Sequence, residues 1–187
     1  MPASPASIRA ASPADEPALA RLYAAAFPEE DLFPIVKALS GLGDVVLSLV
    51  ATADERGGGQ PEGTRAPILG HVAFSRCGVD GRAAPLALLA PLCAAPEAQR
   101  GGIGSALVRE GFRRLEEAGV RRVLVLGDPG YYGRFGFTPE TAIAPPYDLP
   151  EAWRAAWQGA SLGDGPAPPP GRLTPPGPWM RPALWGP

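Results

Sequence analysis

Apolar residues recur at helical spacing in two parts of the chain. Ser12-Pro13 is a helix-start signal, and the apolar residues between 19 and 26 follow it at helical spacing. They predict a helix that ends at Pro28. Between residues 103 and 118, apolar side chains occupy one half of a helical wheel, and arginines and glutamates occupy the other. This pattern predicts an amphipathic helix with one face on an apolar layer. Residues 29–39 predict a poorer helix, interrupted by Pro34.

Strands are predicted where apolar and β-branched residues form short runs. The Asp-Gly pair at residues 80–81 is a strong signal for a two-residue hairpin. That turn predicts a register with Arg82 opposite Val79 and Ala90 opposite His71. The predicted strands cover residues 7–11, 44–52, 68–77, 86–95 and 121–127.

The order of these elements predicts the fold class. A strand–helix–strand step over residues 86–126 requires a parallel crossover, whereas the other strands can pair antiparallel. We therefore expect an α/β fold with a mixed, mostly antiparallel sheet. Residues 54–67 predict a polar, glycine-rich loop, and residues 151–158 are the only further helix candidate.

Length and composition indicate one domain followed by a biased tail. The chain has 187 residues and a net charge of −2, which does not suggest a nucleic-acid surface. Of the 29 residues from 159 to 187, 15 are Gly or Pro. We therefore place a domain at residues 1–158 and a tail at 159–187, and leave open whether Trp179 and Trp185 pin the tail down. The sequence has two cysteines, no apolar signal core and no membrane-length apolar run, so we expect a cytoplasmic protein.

The amphipathic helix begins with residues that oppose helix formation, QRGGIG at 99–104. The first amides of a helix have no partner within it, and the helix dipole is positive there, so a glycine-rich start can hold a phosphate. The alternative is that the glycines only permit close packing on the sheet. The spacing matches neither GxxxxGK[ST] nor GxGxxG, so a P-loop nucleotide site and a dinucleotide site are not expected.

Three segments carry a family resemblance. QRGGIG matches a Q/R-x-x-G-x-G/A signature, LAPLCAAP at residues 89–96 looks like a fourth strand, and YGRFGF at 132–137 looks like a YxxxGF segment. Together they resemble the GNAT superfamily of acyl-CoA-dependent N-acetyltransferases, and GDPGYYGRFGF resembles its YhbS-like branch. The resemblance covers most of residues 5–138. It implies the GNAT fold, in which the fourth and fifth strands splay apart.

The resemblance implies that acetyl-CoA donates an acetyl group to a primary amine by direct attack, without a metal. The pyrophosphate would lie on the amides of Arg100, Gly101, Gly102, Ile103, Gly104 and Ser105. The pantetheine arm would pair with the backbone of Leu92 and Ala94, and an amide near Cys93 would stabilise the oxyanion. Pro91 has no amide, so regular pairing should fail there, as at a bulge or a splayed strand.

By the same resemblance, Tyr132 would donate a proton to the departing thiolate. A phenol with a pKa of about 10 suits a thiolate whose conjugate acid lies at about 8.5. The alternative is that Tyr132 is only a packing residue. Cys93 could act as a nucleophile, but the simpler interpretation is that Cys93 is a small buried residue of a strand.

The sequence does not identify the general base. The predicted hairpin register places His71, the only histidine, roughly 10 Å from Cys93. The simpler interpretation is a strand histidine with satisfied hydrogen bonds. The acidic residues 29–31 either hold a cationic amine or are solvated. Many family members carry an Asn after the fifth strand; here Asp128 stands in that region, and we expect it to cap a short helix.

Two other interpretations remain. The fold could serve as a non-catalytic acyl-CoA-binding or interaction module, or the enzyme could use a longer acyl donor. The identity of the amine and a homodimer are left open. No nucleic-acid or membrane partner is expected.

Overall fold

The computed structural model describes residues 6–53 and 66–186, so most of the loop predicted at 54–67 lies outside the described residues. The strands are β1 (Ser7–Ala10), β2 (Val46–Thr52), β3 (Ile68–Val79), β4 (Arg82–Ala94), β5 (Arg122–Leu126), β6 (Thr138–Pro139), β7 (Ile143–Ala144), β8 (Trp157–Ser161) and β9 (Gly171–Thr174). The helices are α1 (Glu16–Ala26), α2 (Phe33–Ser40), α3 (Ile103–Glu117) and α4 (Pro129–Tyr132). None of the helices in these two ranges is long and apolar enough to cross a membrane.

The sheet is mixed, as the sequence predicted. Its main path runs β1-β2-β3-β4-β5-β8-β6, with β9 beside β3 and β7 beside β9. The β4–β5 pair is parallel, and α3 makes the crossover between these strands. The neighbouring pairs along the path are antiparallel. Helix α3 packs on one face of the sheet, and α1 and α2 pack on the other.

Two predicted features of the helices are wrong. Pro34 does not interrupt a helix, because α2 begins at Phe33 and places Pro34 in its first turn. In the first turn the amide has no acceptor within the helix, so proline is tolerated. The helix candidate at 151–158 is a 3₁₀ turn over Glu151–Ala156, and Trp157 begins strand β8.

The β3–β4 register follows the prediction at the turn and departs from it farther along. Val79 lies opposite Arg82, but His71 lies opposite Cys93 and not opposite Ala90. The register shifts twice, because β4 carries extra residues at Ala84-Pro85 and at Ala90-Pro91. A proline cannot donate to the ladder, so each shift falls where the pairing is weakest. His71 and Cys93 are therefore direct neighbours.

The glycine- and proline-rich tail packs on the sheet. The predicted boundary at 158/159 falls inside β8, which pairs with β5, and β9 pairs with β3. Trp179 and Trp185 are buried. The Trp179 indole donates a 3.0 Å hydrogen bond to Ser75 Oγ, and the Trp185 indole donates to the Trp179 carbonyl at 2.8 Å. These contacts hold the tail on the α1/α2 face.

Candidate functional site

The site opens where two parallel strands separate. β4 and β5 pair from Leu86–Arg122 to Leu88–Leu124, and beyond that point both strands continue without pairing to each other. A cleft of about 480 Å³ lies here, bordered by the end of β4, the start of α3, α4 and the end of α1. An opening between strands exposes backbone amides and carbonyls that a regular sheet would use.

The glycine-rich segment forms one wall of this cleft. Gly102 has φ +84° at the N-cap of α3, and Arg100 has φ +60° just before it. The first hydrogen bond of the helix runs from the Ala106 amide to the Gly102 carbonyl, at 2.9 Å. The amides of Ile103, Gly104 and Ser105 therefore precede the helix's own bonding, at the positive end of its dipole. This wall can hold an anion.

The backbone of β4 forms the second wall. The Ala95 amide donates to the Leu69 carbonyl of β3 at 2.9 Å. Successive residues of a strand point their backbone groups in opposite directions, so the Cys93 amide also faces β3, whereas those of Leu92 and Ala94 face the opening. The residues predicted to pair with pantetheine are thus the ones whose backbone groups are available.

The two neighbouring tyrosines of the YxxxGF region lie at different places in the cleft. The Tyr131 hydroxyl lies against Gly104, where a Cβ would overlap it. The Tyr132 ring packs against Gly127 at the end of β5 and edge-on to Phe137, with ring centroids 5.5 Å apart. Burial raises the pKa of Tyr132 above its ordinary value, so the phenol keeps its proton at neutral pH.

Asp128 caps the short helix, as expected. Its Oδ1 accepts a hydrogen bond from the Gly130 amide at 2.9 Å, at the N-cap of α4. The carboxylate therefore serves to fix the turn that carries Tyr131 and Tyr132 beside the cleft. Asp128, which stands in the region of the Asn that many family members carry, is thus engaged in this cap.

His71 is buried and its ring nitrogens are both occupied. Nδ1 lies 2.7 Å from the Tyr23 hydroxyl, and Nε2 lies 2.8 Å from Ser48 Oγ. Burial lowers the pKa of His71 to about 4, so the imidazole is neutral at pH 7. The arrangement favours the strand histidine with satisfied hydrogen bonds over the general base, although His71 stands next to Cys93 and closer to the cleft than predicted.

Cys93 lines the cleft with its side chain on the α1 face of the sheet. Burial raises the pKa of its thiol to about 11, which keeps it protonated at neutral pH. This favours a buried strand residue over a nucleophile. Cys77 is also buried and forms no disulfide, and it lies near the hairpin end of β3, away from the cleft.

The acidic residues 29–31 are exposed in the turn after α1. They follow Phe27, which lines the cleft together with Ala26. The sequence did not point to Phe27 or to Arg134 as cleft residues. The Arg134 guanidinium lies 4.7 Å from the centroid of the Tyr131 ring and adds a second positive charge to that of Arg100. Arg134 occupies a variable position of YxxxGF, so no motif marked it. Within residues 6–53 and 66–186, no group of three or more His, Cys, Asp or Glu side chains is placed to hold a metal ion.

Comparison with known proteins identifies the family. The model of the acetyltransferase (GNAT) family matches residues 18–137. The chain belongs to the GNAT family. The uncharacterized N-acetyltransferase YhbS of Escherichia coli K12 is 37% identical over 153 residues, which cover 81% of this chain and 80% of that protein. The uncharacterized N-acetyltransferase YjhQ of the same organism is 39% identical over 99 residues, and the match spans 50% of this chain and only 55% of YjhQ.

Solved GNAT structures share the whole fold. The crystal structure of Escherichia coli YhbS in complex with CoA superposes with a TM-score of 0.80 at 29% identity, over 97% of this chain and 95% of that one. A GNAT acetyltransferase from Brucella melitensis in complex with acetyl-CoA gives a TM-score of 0.68 at 32% identity, over 91% of this chain and 95% of that one. The GNAT fold with a parallel β4–β5 pair is therefore established for this chain.

Proposed function

We propose that this GNAT protein transfers an acetyl group from acetyl-CoA to a primary amine by direct attack. The observation that carries this proposal is the opening between β4 and β5 beside the free amides at the start of α3. Both features border one cleft, so a single extended ligand with an anionic end and an amide-rich arm can use them together. That the YhbS and Brucella structures contain CoA and acetyl-CoA supports the same ligand class here.

In this proposal the backbone does most of the cofactor binding. The pyrophosphate lies on the amides of Arg100 and of residues 102–105, with the Arg100 and Arg134 guanidinium groups near its charge. The Gly101 amide, which the sequence also suggested, donates to the Ala98 carbonyl at 3.3 Å and is not available to the pyrophosphate. The pantetheine amides pair with the backbone of Leu92 and Ala94. The Gly102 position supports this role, because its φ of +84° suits glycine and a Cβ there would meet open space in the cleft wall.

The chemical step needs a neutral amine, an oxyanion donor and a proton for the thiolate. The amine nitrogen attacks the thioester carbonyl. The tetrahedral oxyanion accepts a hydrogen bond from whichever of the two amides facing the opening, that of Leu92 or of Ala94, the pantetheine arm leaves free. When the C–S bond breaks, the electron pair goes to sulfur, and Tyr132 donates its proton to the thiolate. The attacking nitrogen loses its extra proton to water at the cleft, and the Tyr132 phenolate then takes a proton back from solvent. Burial raises the pKa of Tyr132, so the phenol holds its proton at neutral pH until the thiolate forms.

The acceptor side is formed by the end of α1. Phe27 offers an apolar surface, and the exposed acidic residues 29–31 supply negative charge for a cationic amine. We keep the non-catalytic acyl-CoA-binding module and the longer acyl donor as the competing functions. The phenol of Tyr132 beside the strand opening favours the enzyme.

The test is turnover with a panel of primary amines. Purified protein is incubated with acetyl-CoA and small-molecule or peptide amines, and free CoA thiol and acetylated amine are both quantified. Amine-dependent release of CoA, with an acetylated product in equal amount, supports the proposal. Binding of acetyl-CoA without turnover of any amine supports the binding module, and faster release from butyryl-CoA or longer thioesters supports the longer donor.

A further inference from the structure

A second cavity lies under α1 and α2, away from the strand opening. It has a volume of about 320 Å³, and its walls come from the β1–α1 connection, both helices, β2 and β3. Apolar side chains form most of its lining, among them Leu19, Phe33, Val36 and Leu39. Leu92, Cys93, Gly102 and Tyr132 border the acyl-CoA cleft and not this cavity. Tyr23 and His71 are buried between the two.

The mouth of the cavity carries balanced charge. Lys37 Nζ and Glu16 Oε1 lie 2.6 Å apart, on α2 and α1, and both side chains line the cavity. The pair is exposed to solvent, so it contributes little to stability. Because its charges compensate each other, the mouth does not select a charged ligand.

The inner end of the cavity is polar. Ser48 and His71 both line it, and Ser48 Oγ lies 2.8 Å from His71 Nε2. The other ring nitrogen, Nδ1, lies 2.7 Å from the Tyr23 hydroxyl. A neutral imidazole has one donor and one acceptor nitrogen, so the direction of one hydrogen bond fixes that of the other.

The direction follows from the partners of Tyr23. The Tyr23 hydroxyl has two side-chain hydrogen-bond partners, His71 Nδ1 and the Cys93 thiol. An imidazole nitrogen is a stronger acceptor than a thiol sulfur, so the phenol donates to His71 Nδ1 in preference to Cys93 Sγ. Nε2 then carries the proton and donates to Ser48 Oγ. The Ser48 hydroxyl proton is left free, since the bond to His71 is the only side-chain hydrogen bond of Ser48 within residues 6–53 and 66–186. The cavity therefore offers one hydrogen-bond donor at its inner end.

We propose that this cavity is a second small-molecule site, which takes a neutral, mainly apolar molecule of about two fused rings with one hydrogen-bond acceptor. The size follows from the volume, because an apolar cavity of about 150 Å³ holds benzene and this one is about twice as large. The acceptor group lies on the Ser48 hydroxyl, and the rings lie among the apolar side chains. Such a composition, apolar with few placed polar groups, is typical of ligand pockets.

The test uses a matched pair of probes on the full chain. α-Tetralone has two fused rings and a carbonyl, and tetralin has the same rings without the acceptor. Titration of ¹⁵N-labelled protein, followed by amide chemical shifts, is expected to give saturable binding of α-tetralone with shifts at Val46, Ser48 and Ala73. The amides of Gly102 and Ser105 are expected to stay unchanged, and tetralin is expected to bind several-fold more weakly.

Two serine variants separate the donor from the cavity. Ser48→Ala should weaken α-tetralone binding about 5- to 10-fold, the equivalent of one hydrogen bond, and leave tetralin binding unchanged. Ser40→Ala is the control, because Ser40 also lines the cavity but its hydroxyl already donates to the Lys37 carbonyl at 2.8 Å. If Ser48→Ala does not fold, the ratio of the wild-type affinities for α-tetralone and tetralin tests the hydrogen-bond donor instead. No saturable shifts at the cavity, shifts at the acyl-CoA cleft instead, or equal affinity for both probes would overturn the proposal.

Discussion

Replacement of Tyr132 by phenylalanine tests the proposed proton donor. The ring packs against Gly127 and Phe137, and Phe can keep both contacts, so the change removes only the hydroxyl. A hydrogen bond to a charged group contributes about 1.5–3 kcal/mol, which corresponds to roughly 10- to 150-fold in rate. We therefore expect kcat to fall about 100-fold, within the range for general acids.

The assay is steady-state release of CoA thiol with a saturating amine. Acetyl-CoA binding rests on the α3 amides and on β4, so KM for acetyl-CoA should stay within about twofold if substrate dissociation is fast. Tyr131→Phe is the matched control: its hydroxyl lies against Gly104, at the phosphate wall. We expect that control to raise KM severalfold and leave kcat nearly unchanged. The role of Tyr132 would be refuted if Tyr132→Phe lowered kcat by less than about threefold, or if both variants lowered kcat equally.

The remaining predictions concern pH and three further residues. Because burial raises the pKa of Tyr132, its acid form persists above pH 10, and activity should not decline between pH 8 and 10 through this group; a decline abolished by Tyr132→Phe would contradict this. Burial lowers the pKa of His71 from 6.5 to about 4, so its neutral form stabilises the fold above pH 6.5, and the free energy of unfolding should fall by up to about 3 kcal/mol as the pH drops towards 4. Chemical denaturation of His71→Gln should lack this part of the slope, and its rate–pH profile should keep the rise on the acidic side that a general base produces. Cys93→Ala should retain kcat within a few-fold, and a complete loss of activity would instead support Cys93 as a nucleophile. Glu30→Gln should raise KM for a cationic amine severalfold at low salt only, and an unchanged KM would mean that this carboxylate is merely solvated.

Local sequence signals predicted the parts of the fold that depend on local physics. The Asp-Gly turn set the pairing of Val79 with Arg82, and the glycines at 101 and 102 marked the start of α3. The amphipathic pattern of α3 and the apolar run of β5 predicted the parallel crossover. The turn and the helix start are each determined within a few residues, and the crossover follows from the order of the predicted elements.

The errors in register and in β8 arose where the structure depends on residues far apart in the chain. The position of His71 was predicted by counting from the turn, and two bulges beside Pro85 and Pro91 moved its partner to Cys93. The irregularity at Pro91 was expected, and it shifts the register of every pair beyond it, including that of His71. The strand β8 was missed because its pairing partner β5 lies far away in sequence, and no local pattern distinguishes it from the preceding turn.

The cleft was predictable in its backbone and less so in its side chains. The signature at 99–104 and Pro91 both act through backbone geometry, which the sequence encodes by residue type. Phe27 and Arg134 reach the cleft only because α1 and α4 end there. Such convergence depends on tertiary packing, so single positions in α1 and in YxxxGF carried no signal.

The most direct test of the central claim is a calorimetric titration of the protein with acetyl-CoA and with CoA. Wild type should bind both with micromolar affinity. Gly102→Glu should lower the affinity for acetyl-CoA at least 50-fold. The new carboxylate and the pyrophosphate, as two unit charges about 7 Å apart at an effective dielectric constant of about 20, repel each other by ~2.4 kcal/mol. Gly119→Glu is the control, since Gly119 has φ +81° and open space at the other end of α3 and so imposes the same strain and charge away from the cleft. Retained binding in Gly119→Glu and lost binding in Gly102→Glu would place the cofactor on the α3 amides. No binding by the wild type, or equal loss in both variants, would contradict the claim and reduce QRGGIG to a packing turn.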